Sequence, residues 1–397
     1  MVLLQVLHDS HKGTMEGAGV TVFVTVQRIY YPFLCIMGIP GLFFCCHLTF
    51  TVSSNLFTFY MIYFRKCGMS NAAVVYLSCL AIADTFYLIW VILLDLTLTF
   101  WILQPFWHSQ PWCGILGFLQ HGSLSSSSWI VVVFTIERYL VLKSTTAKQR
   151  FSEAGVTKLT CVAIVVLSHL ASVPMGWINT VKLVNFTVDG ENMTLPRCLY
   201  REHTYSTVVV WIASFLSGGI PIVLVILFNY LIGYHLCRAS NLFTKEEQRV
   251  MHGRSTRGML KRTIFLLGTI SVAFVVLSLP RFVTYCILRT KYNDESFDRN
   301  DYSIPINVAG DVANMLHNLN SSTNFLLYCV VSSRFRQELV QVVTCSAKVL
   351  ELGSNMPEQG MLENMQEGGT RGPGLPTPSP VGQMGTQNSC GLLWRPV

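Results

Sequence analysis

Glu137-Arg138-Tyr139 stands at the end of an apolar stretch that opens at Cys113. At 1.5 Å per residue, the 25-residue step from Cys113 to Arg138 is a helix of about 37 Å, enough to cross a bilayer and its interfaces. A cysteine at one face and a charged triplet at the other suggest a covalent anchor on one side of a membrane and a switch on the other. Such a triplet is also a common interfacial anchor, because Arg snorkels and Tyr favours headgroup depth. Asp84 and Arg281 are further ionisable residues in apolar surroundings, where a charge demands a partner, an ion or water. The chemistry these residues support is ion binding, carboxylate recognition and switching. No HExxH, GxSxG or Cys-x-x-Cys motif offers a catalytic constellation, so the chain reads as a non-enzyme.

The elements that must position these residues are long and apolar. The chain is 51% hydrophobic and 12% charged, with mean hydropathy +0.45, a balance that a soluble domain of 397 residues rarely shows. Stretches poor in charge run over 29–64, 72–100, 113–142, 156–177, 206–236, 263–288 and 304–331. Each reaches the roughly 20 residues that a spanning helix needs, and none alternates like a membrane strand. The fold class is therefore an all-α membrane protein, a seven-transmembrane helix bundle. Lys and Arg concentrate after spans one, three, five and seven, as at Arg65, Lys66, Lys143, Lys148, Arg150, Arg238, Lys261, Arg262 and Arg334, which places the N-terminus (1–28) outside and the C-terminus in the cytoplasm. The net charge of +7 follows from this loop bias and suits anionic membrane lipid; charges scattered over separate loops make nucleic acid a poor partner.

Two sequons, at Asn185 and Asn192, fall in the loop between spans four and five that the charge rule independently puts outside, and predict a glycoprotein. Of thirteen cysteines, Cys113 and Cys198 lie in extracellular segments, and a bridge between them would pin that loop across the top of span three. Cys345, after span seven, is a palmitoylation candidate, with a free cytosolic thiol as the equal alternative. The tail, 347–397, is rich in Gly, Pro, Gln and Ser and predicts disorder.

These residues together resemble the rhodopsin-like (class A) G protein-coupled receptors over most of the chain. Leu80-Ala81-Ile82-Ala83-Asp84 is similar to the family's span-two motif, and Cys113 with Glu137-Arg138-Tyr139 to its span-three pair. Pro221, Phe274 and Pro280 sit where spans five and six carry them. Asn320-Ser321-Ser322-Thr323-Asn324 running into Tyr328 is similar to the span-seven motif, and the segment 332–346 resembles an amphipathic helix eight. Several motifs in the right order are far more specific than any one. The ending Asn324-Phe325-Leu326-Leu327-Tyr328-Cys329 further resembles the orphan receptors grouped with FMRFamide-type neuropeptide receptors and with sensors of aromatic amino acids.

The resemblance implies a plasma-membrane receptor that binds an extracellular peptide or aromatic amino acid-like ligand and activates a heterotrimeric G protein. It implies a switch of Glu137, Arg138, Tyr139, Phe274, Pro280, Asn324 and Tyr328, with Arg138 held by Glu137 at rest. It also implies a polar cavity of Asp84, Ser127, Asn320, Ser321 and Asn324 that suits an allosteric sodium ion or, alternatively, an ion-free hydrogen-bonded network; no other cofactor or metal is implied. Facing the outer half of the bundle are Arg281, the acids Asp95 and Asp311, and Gln120, His121, Asn314 and His317. Arg281 either grips a ligand carboxylate or pairs internally with Asp95 or Asp311. Departures from the pattern are Leu260 where an acid often pairs with the arginine, Ser278 for the span-six tryptophan, Ile164 for the span-four tryptophan, Phe325 for the span-seven proline, and Thr145-Thr146 in the second cytoplasmic loop. Without proline, span seven should keep its backbone bond and kink less.

Span one departs most. Gly38-Ile39-Pro40-Gly41 is separated from Asn55-Leu56 by residues 42–54, thirteen mostly apolar residues that would lengthen a helix by about 20 Å. The expectation is that 42–64 spans alone and that residues 30–39 are displaced to the outer surface, the insertion reading as a retained intron or gene-model error. A poorly coupling receptor is the alternative function. A polytopic transporter is less favoured, because the two halves show no internal repeat.

Overall fold

The computed structural model describes residues 26, 29–30, 54–98, 102, 104–151, 154–188, 191–201, 204–242, 254–292 and 303–354. Residues through Phe335 form one compact unit and those from Arg336 a second. Among the described residues, five helices are long and apolar enough to cross a membrane alone: Asn71–Leu96, Trp112–Lys143, Gly155–Ile178, Thr204–Arg238 and Ile264–Lys291. These are spans two to six. Span one is described as Ser54–Arg65 and span seven as Pro305–Ser322 followed by Asn324–Val331.

Span three, Trp112–Lys143, is the most enclosed of the five, and its serine run Ser123 to Ser128 is buried throughout. Small side chains let neighbouring helices approach where lipid supplies no hydrophobic drive between them. A Cβ on Gly114 would stand 2.8 Å from the carbonyl oxygen of Gly176, so spans three and four touch backbone to backbone there. Span two opens on Ser70, whose hydroxyl accepts from the Ala73 N–H at 3.3 Å and caps the helix. In span five a wide-turned segment, Phe215–Gly219, precedes Pro221. A proline ring crowds the carbonyl four residues back, and the wider turn makes room for it.

Four points add to or correct the expectations. First, the all-α bundle carries in the loop between spans four and five an antiparallel hairpin, Asn179–Val188 paired with Glu191–Tyr200, with Val181 opposite Cys198 and Val188 opposite Glu191. Second, Tyr30 is not displaced to the outer surface. It is helical, its hydroxyl donates to the Met315 carbonyl of span seven, and it packs with Leu88 and Ile92 of span two. The rest of 1–28 and 31–53, including nearly all of the insertion, lies outside the described residues, apart from Val26.

Third, span seven breaks at Thr323 although Phe325 stands where proline would be. Backbone bonds persist from Thr323 to Leu319 and from Leu327 to Thr323, but among the described residues none joins Phe325 to Ser321. The Ser321 carbonyl instead accepts from Asn55 Nδ2 at 2.8 Å, and the Asn320 carbonyl from Thr323 Oγ1 at 3.2 Å. Side chains satisfy the carbonyls, so the helix opens without proline. Fourth, the helix after span seven runs Ser333–Ser354, beyond the expected end at 346 and into the segment expected to be disordered. Leu339, Val342 and Val343 stand at three- and four-residue steps, and Val349 and Leu350 follow Val342 and Val343 at seven, two helical turns on, which extends the apolar stripe. Residues 355–397 lie outside the described residues.

Candidate functional site

Asp84 of span two is 1% exposed and sits at the junction of three spans. Its Oδ1 accepts from Ser127 Oγ of span three at 2.7 Å and its Oδ2 from Asn324 Nδ2 of span seven at 2.6 Å, with Ser321 also in hydrogen-bonding reach. A carboxylate removed from water survives only when its lone pairs are engaged. Asn320 is half-buried and makes no such bond to Asp84. Asn55, fully buried, ties span one to the same region through the Ser321 carbonyl, and its Oδ1 is left without a partner. Asp84, Ser127 and Ser321 form an oxygen set that fits a small hard cation, since each carboxylate oxygen keeps a further lone pair.

Toward the C-terminal end of span three, Arg138 pairs with its own neighbour Glu137, both buried. Its Nη1 reaches Ser70 Oγ at 3.4 Å, and its guanidinium lies 5.3 Å from the Phe134 ring centroid. Tyr139 packs on Phe228 and His235 of span five. Phe274 and Tyr328 are buried; Tyr328 leans on Phe335, and Pro280 lies inside the helix Arg254–Lys291. The side chain of Leu260 lies outside the described set.

On the outer side, Arg281 is half-buried and within electrostatic range of His121, His317 and Tyr87. Asp95 is hydrogen-bonded to Gln120, whose Nε2 also donates to the Trp90 carbonyl at 3.1 Å. Among the described residues no ion pair joins Asp95 to Arg281, and Asp311 has interactions of its own. Asp311, Asn314 and His317 follow one another at three-residue steps along one stripe of span seven. Contacts that the motifs did not announce complete this level. Tyr87 Oη donates to Asn318 Oδ1 at 2.7 Å, and Ser278, in the tryptophan's place, stands 3.3 Å from His317 Nδ1.

The hairpin forms the roof. Cys113 and Cys198 are joined, with Cα atoms 5.6 Å apart, tying it to the first turn of span three. Beside the bridge, His108 and Arg197 are each 4% exposed, and Arg197 Nη1 donates to His108 Nδ1 at 3.0 Å. Burial first, and the Arg197 charge second, push the His108 ring down to about 4. A neutral imidazole can accept from Arg; a protonated one cannot. No motif announced this pair, although it lies one residue from Cys198. The sequons at Asn185 and Asn192 fall on opposite strands near the hairpin tip; their side chains, like that of Cys345, lie outside the described set.

A bundle with a bridged outer roof, an acid network at its centre and a buried arginine near the end of span three defines a membrane receptor architecture. The family described as 7 transmembrane receptor (rhodopsin family) matches residues 54–328. The chain belongs to that family; it is a multi-pass plasma-membrane receptor and not an enzyme. It is 26% identical to the B1 bradykinin receptor of Macaca mulatta over 310 residues, 76% of this chain and 82% of that receptor. It is 25% identical to the human neurotensin receptor type 1 over 289 residues, 69% of this chain and 68% of that one. It is likewise 25% identical to the mouse Probable G-protein coupled receptor 142 over 250 residues, 62% and 59% of the two chains.

Proposed function

We propose that this receptor takes an extracellular ligand with a free carboxylate, a peptide or an aromatic amino acid-like molecule, and activates a heterotrimeric G protein at its cytoplasmic face. The N-terminus is outside. The observation that carries the reading is Arg138: buried, paired among the described residues with the adjacent Glu137 and resting on Ser70, it is positioned to be released when span six moves. Arg281 supports the ligand class, because its guanidinium, which closes no ion pair among the described residues, lies in the outer half of the bundle and matches a carboxylate bidentately. Two relatives carry peptide names, bradykinin and neurotensin, which favours a peptide. Asp84, Ser127 and Ser321 would hold a sodium ion, which supplies a positive charge to the buried carboxylate; the protein's own part is to set those oxygens at one point between three spans.

The test is nucleotide exchange by a panel of purified G proteins in membranes bearing the receptor. Arg138→Ala should lower basal exchange at least fivefold at equal surface density, and unchanged exchange would overturn the reading. Arg281→Gln should leave basal exchange intact and reduce ligand potency tenfold or more; unchanged potency would remove Arg281 from the ligand site.

A further inference from the structure

Spans two and four pack against each other, and each brings a thiol to the contact. Cys79 of span two and Cys161 of span four are free thiols 82 residues apart in the sequence, and they stand in hydrogen-bonding contact. Their depths match. Cys79 lies eight residues beyond Asn71 and Cys161 six beyond Gly155, about 12 and 9 Å of helix from ends on the same side of the bundle. The two differ in access: Cys161 is 2% exposed, whereas Cys79 is half-buried. Cys79, Ile82 and Phe86 follow at steps of three and four along one stripe of span two, and Ile82 and Phe86 are 38% and 47% exposed, so that stripe borders the lipid. Tyr76, one turn before Cys79, is stacked on Phe134 of span three and stands within electrostatic range of Glu137. A single thiol in a membrane helix is a small apolar filler. Two in contact, one of them open toward the bilayer, are the arrangement of an attacking and a resolving cysteine.

We propose that Cys79 and Cys161 are an oxidisable pair, closed to a disulfide by a hydroperoxide. The Cys79 sulfur attacks the terminal peroxide oxygen and the O–O bond breaks. The Cys79 proton passes to the departing oxygen, which leaves as an alcohol or, from hydrogen peroxide, as water, and Cys79 becomes a sulfenic acid. The Cys161 sulfur then attacks the Cys79 sulfur, the S–O bond breaks, and the hydroxyl leaves as water with the Cys161 proton. In sum, two thiols and one hydroperoxide give one disulfide, one alcohol and one water. A dithiol reverses the closure by exchange and is itself oxidised. The bridge ties span two to span four one turn from Tyr76, beside the level of Glu137; its formation does not rest on G protein coupling.

The test uses the full-length receptor in lipid nanodiscs, with phosphatidylcholine hydroperoxide in the bilayer in one arm and hydrogen peroxide in solution in the other. Free thiols are then blocked, and the protein is digested without reductant and read by mass spectrometry. Linked peptides containing Cys79 and Cys161 should rise at least tenfold over untreated receptor, and the faster arm identifies the source of the oxidant; dithiothreitol should return both residues to thiols. In Cys161→Ser, where Cys79 has no resolving partner, dimedone should label Cys79; in Cys79→Ser, label on Cys161 should be at least fivefold lower. The peptide pair joined through Cys113 and Cys198 serves in every sample as the sign of a folded receptor. Absence of the Cys79 to Cys161 link in both arms, with that sign present, would overturn the proposal. So would linkage spread to the same extent over other cysteine pairs. Equal dimedone labelling of the two variants would overturn Cys79 as the attacking thiol.

Discussion

His108 and Arg197 show how a single contact sets the conditions under which the hairpin roof holds. Burial and the Arg197 charge keep the His108 ring neutral down to about 4, against the ordinary value of 6.5. Between those values the unfolded chain binds a proton that the folded chain refuses, so stability is fully present above pH 6.5 and is lost as pH falls through the window toward 4. We expect the melting temperature of the purified receptor to fall as pH is lowered from 6.5 to 4, and the fall to be smaller in His108→Gln, which retains an acceptor without a titrating ring. An equal decline in the variant would place the sensitivity elsewhere. Asp84 illustrates the complementary case: its acceptors are engaged from spans three and seven, so removing either donor leaves a buried charge short of a bond rather than merely deleting a contact.

At the scale of elements, spans three and four depend on backbone contact. A Cβ at Gly114 meets the Gly176 carbonyl oxygen at 2.8 Å, and backbone cannot step aside as a side chain can. Gly114→Val should therefore destabilise by about 1–3 kcal/mol, read as a lower melting temperature with the disulfide intact; an unchanged melting temperature would mean that the two helices slide freely. The contribution of each element was unevenly legible in the sequence. Asp84, Arg138, Asn324 and Cys113 announce themselves because an ionisable, carboxamide or sulfur-bearing residue at a motif position in an apolar run has few structural excuses. The hairpin is also legible, in Asp189-Gly190 directly after a strand rich in Val and Thr, the two-residue turn signal of a hairpin. The break in span seven was not legible. Its cause is Asn55, 266 positions away in the chain, taking the Ser321 carbonyl, and no local pattern around Phe325 carries that information. The Tyr87 to Asn318 bond is hidden for the same reason.

For the whole molecule the open matter is span one, and the described residues constrain it. Tyr30 and Asn55 both bond to span seven, at the carbonyls of Met315 and Ser321, six residues apart. Six residues of helix rise about 9 Å, whereas the 25 residues from Tyr30 to Asn55 would rise about 37 Å as a continuous helix. The chain between these two anchors is thus longer than the distance it bridges by more than residues 42–54 alone. Removing those thirteen residues leaves twelve steps, about 18 Å of helical rise, still enough to keep both contacts. The family match, which begins at residue 54, includes everything beyond the insertion that holds Asp84 and Arg138 in place. We therefore expect a receptor lacking 42–54 to reach the cell surface at no less than the full-length density, with basal nucleotide exchange retained and still sensitive to Arg138→Ala. Surface density would be measured by antibody to an N-terminal tag on unpermeabilised cells, which also reports the side on which the N-terminus lies. Intracellular retention of the shortened chain alone would show that the inserted residues are needed to assemble span one.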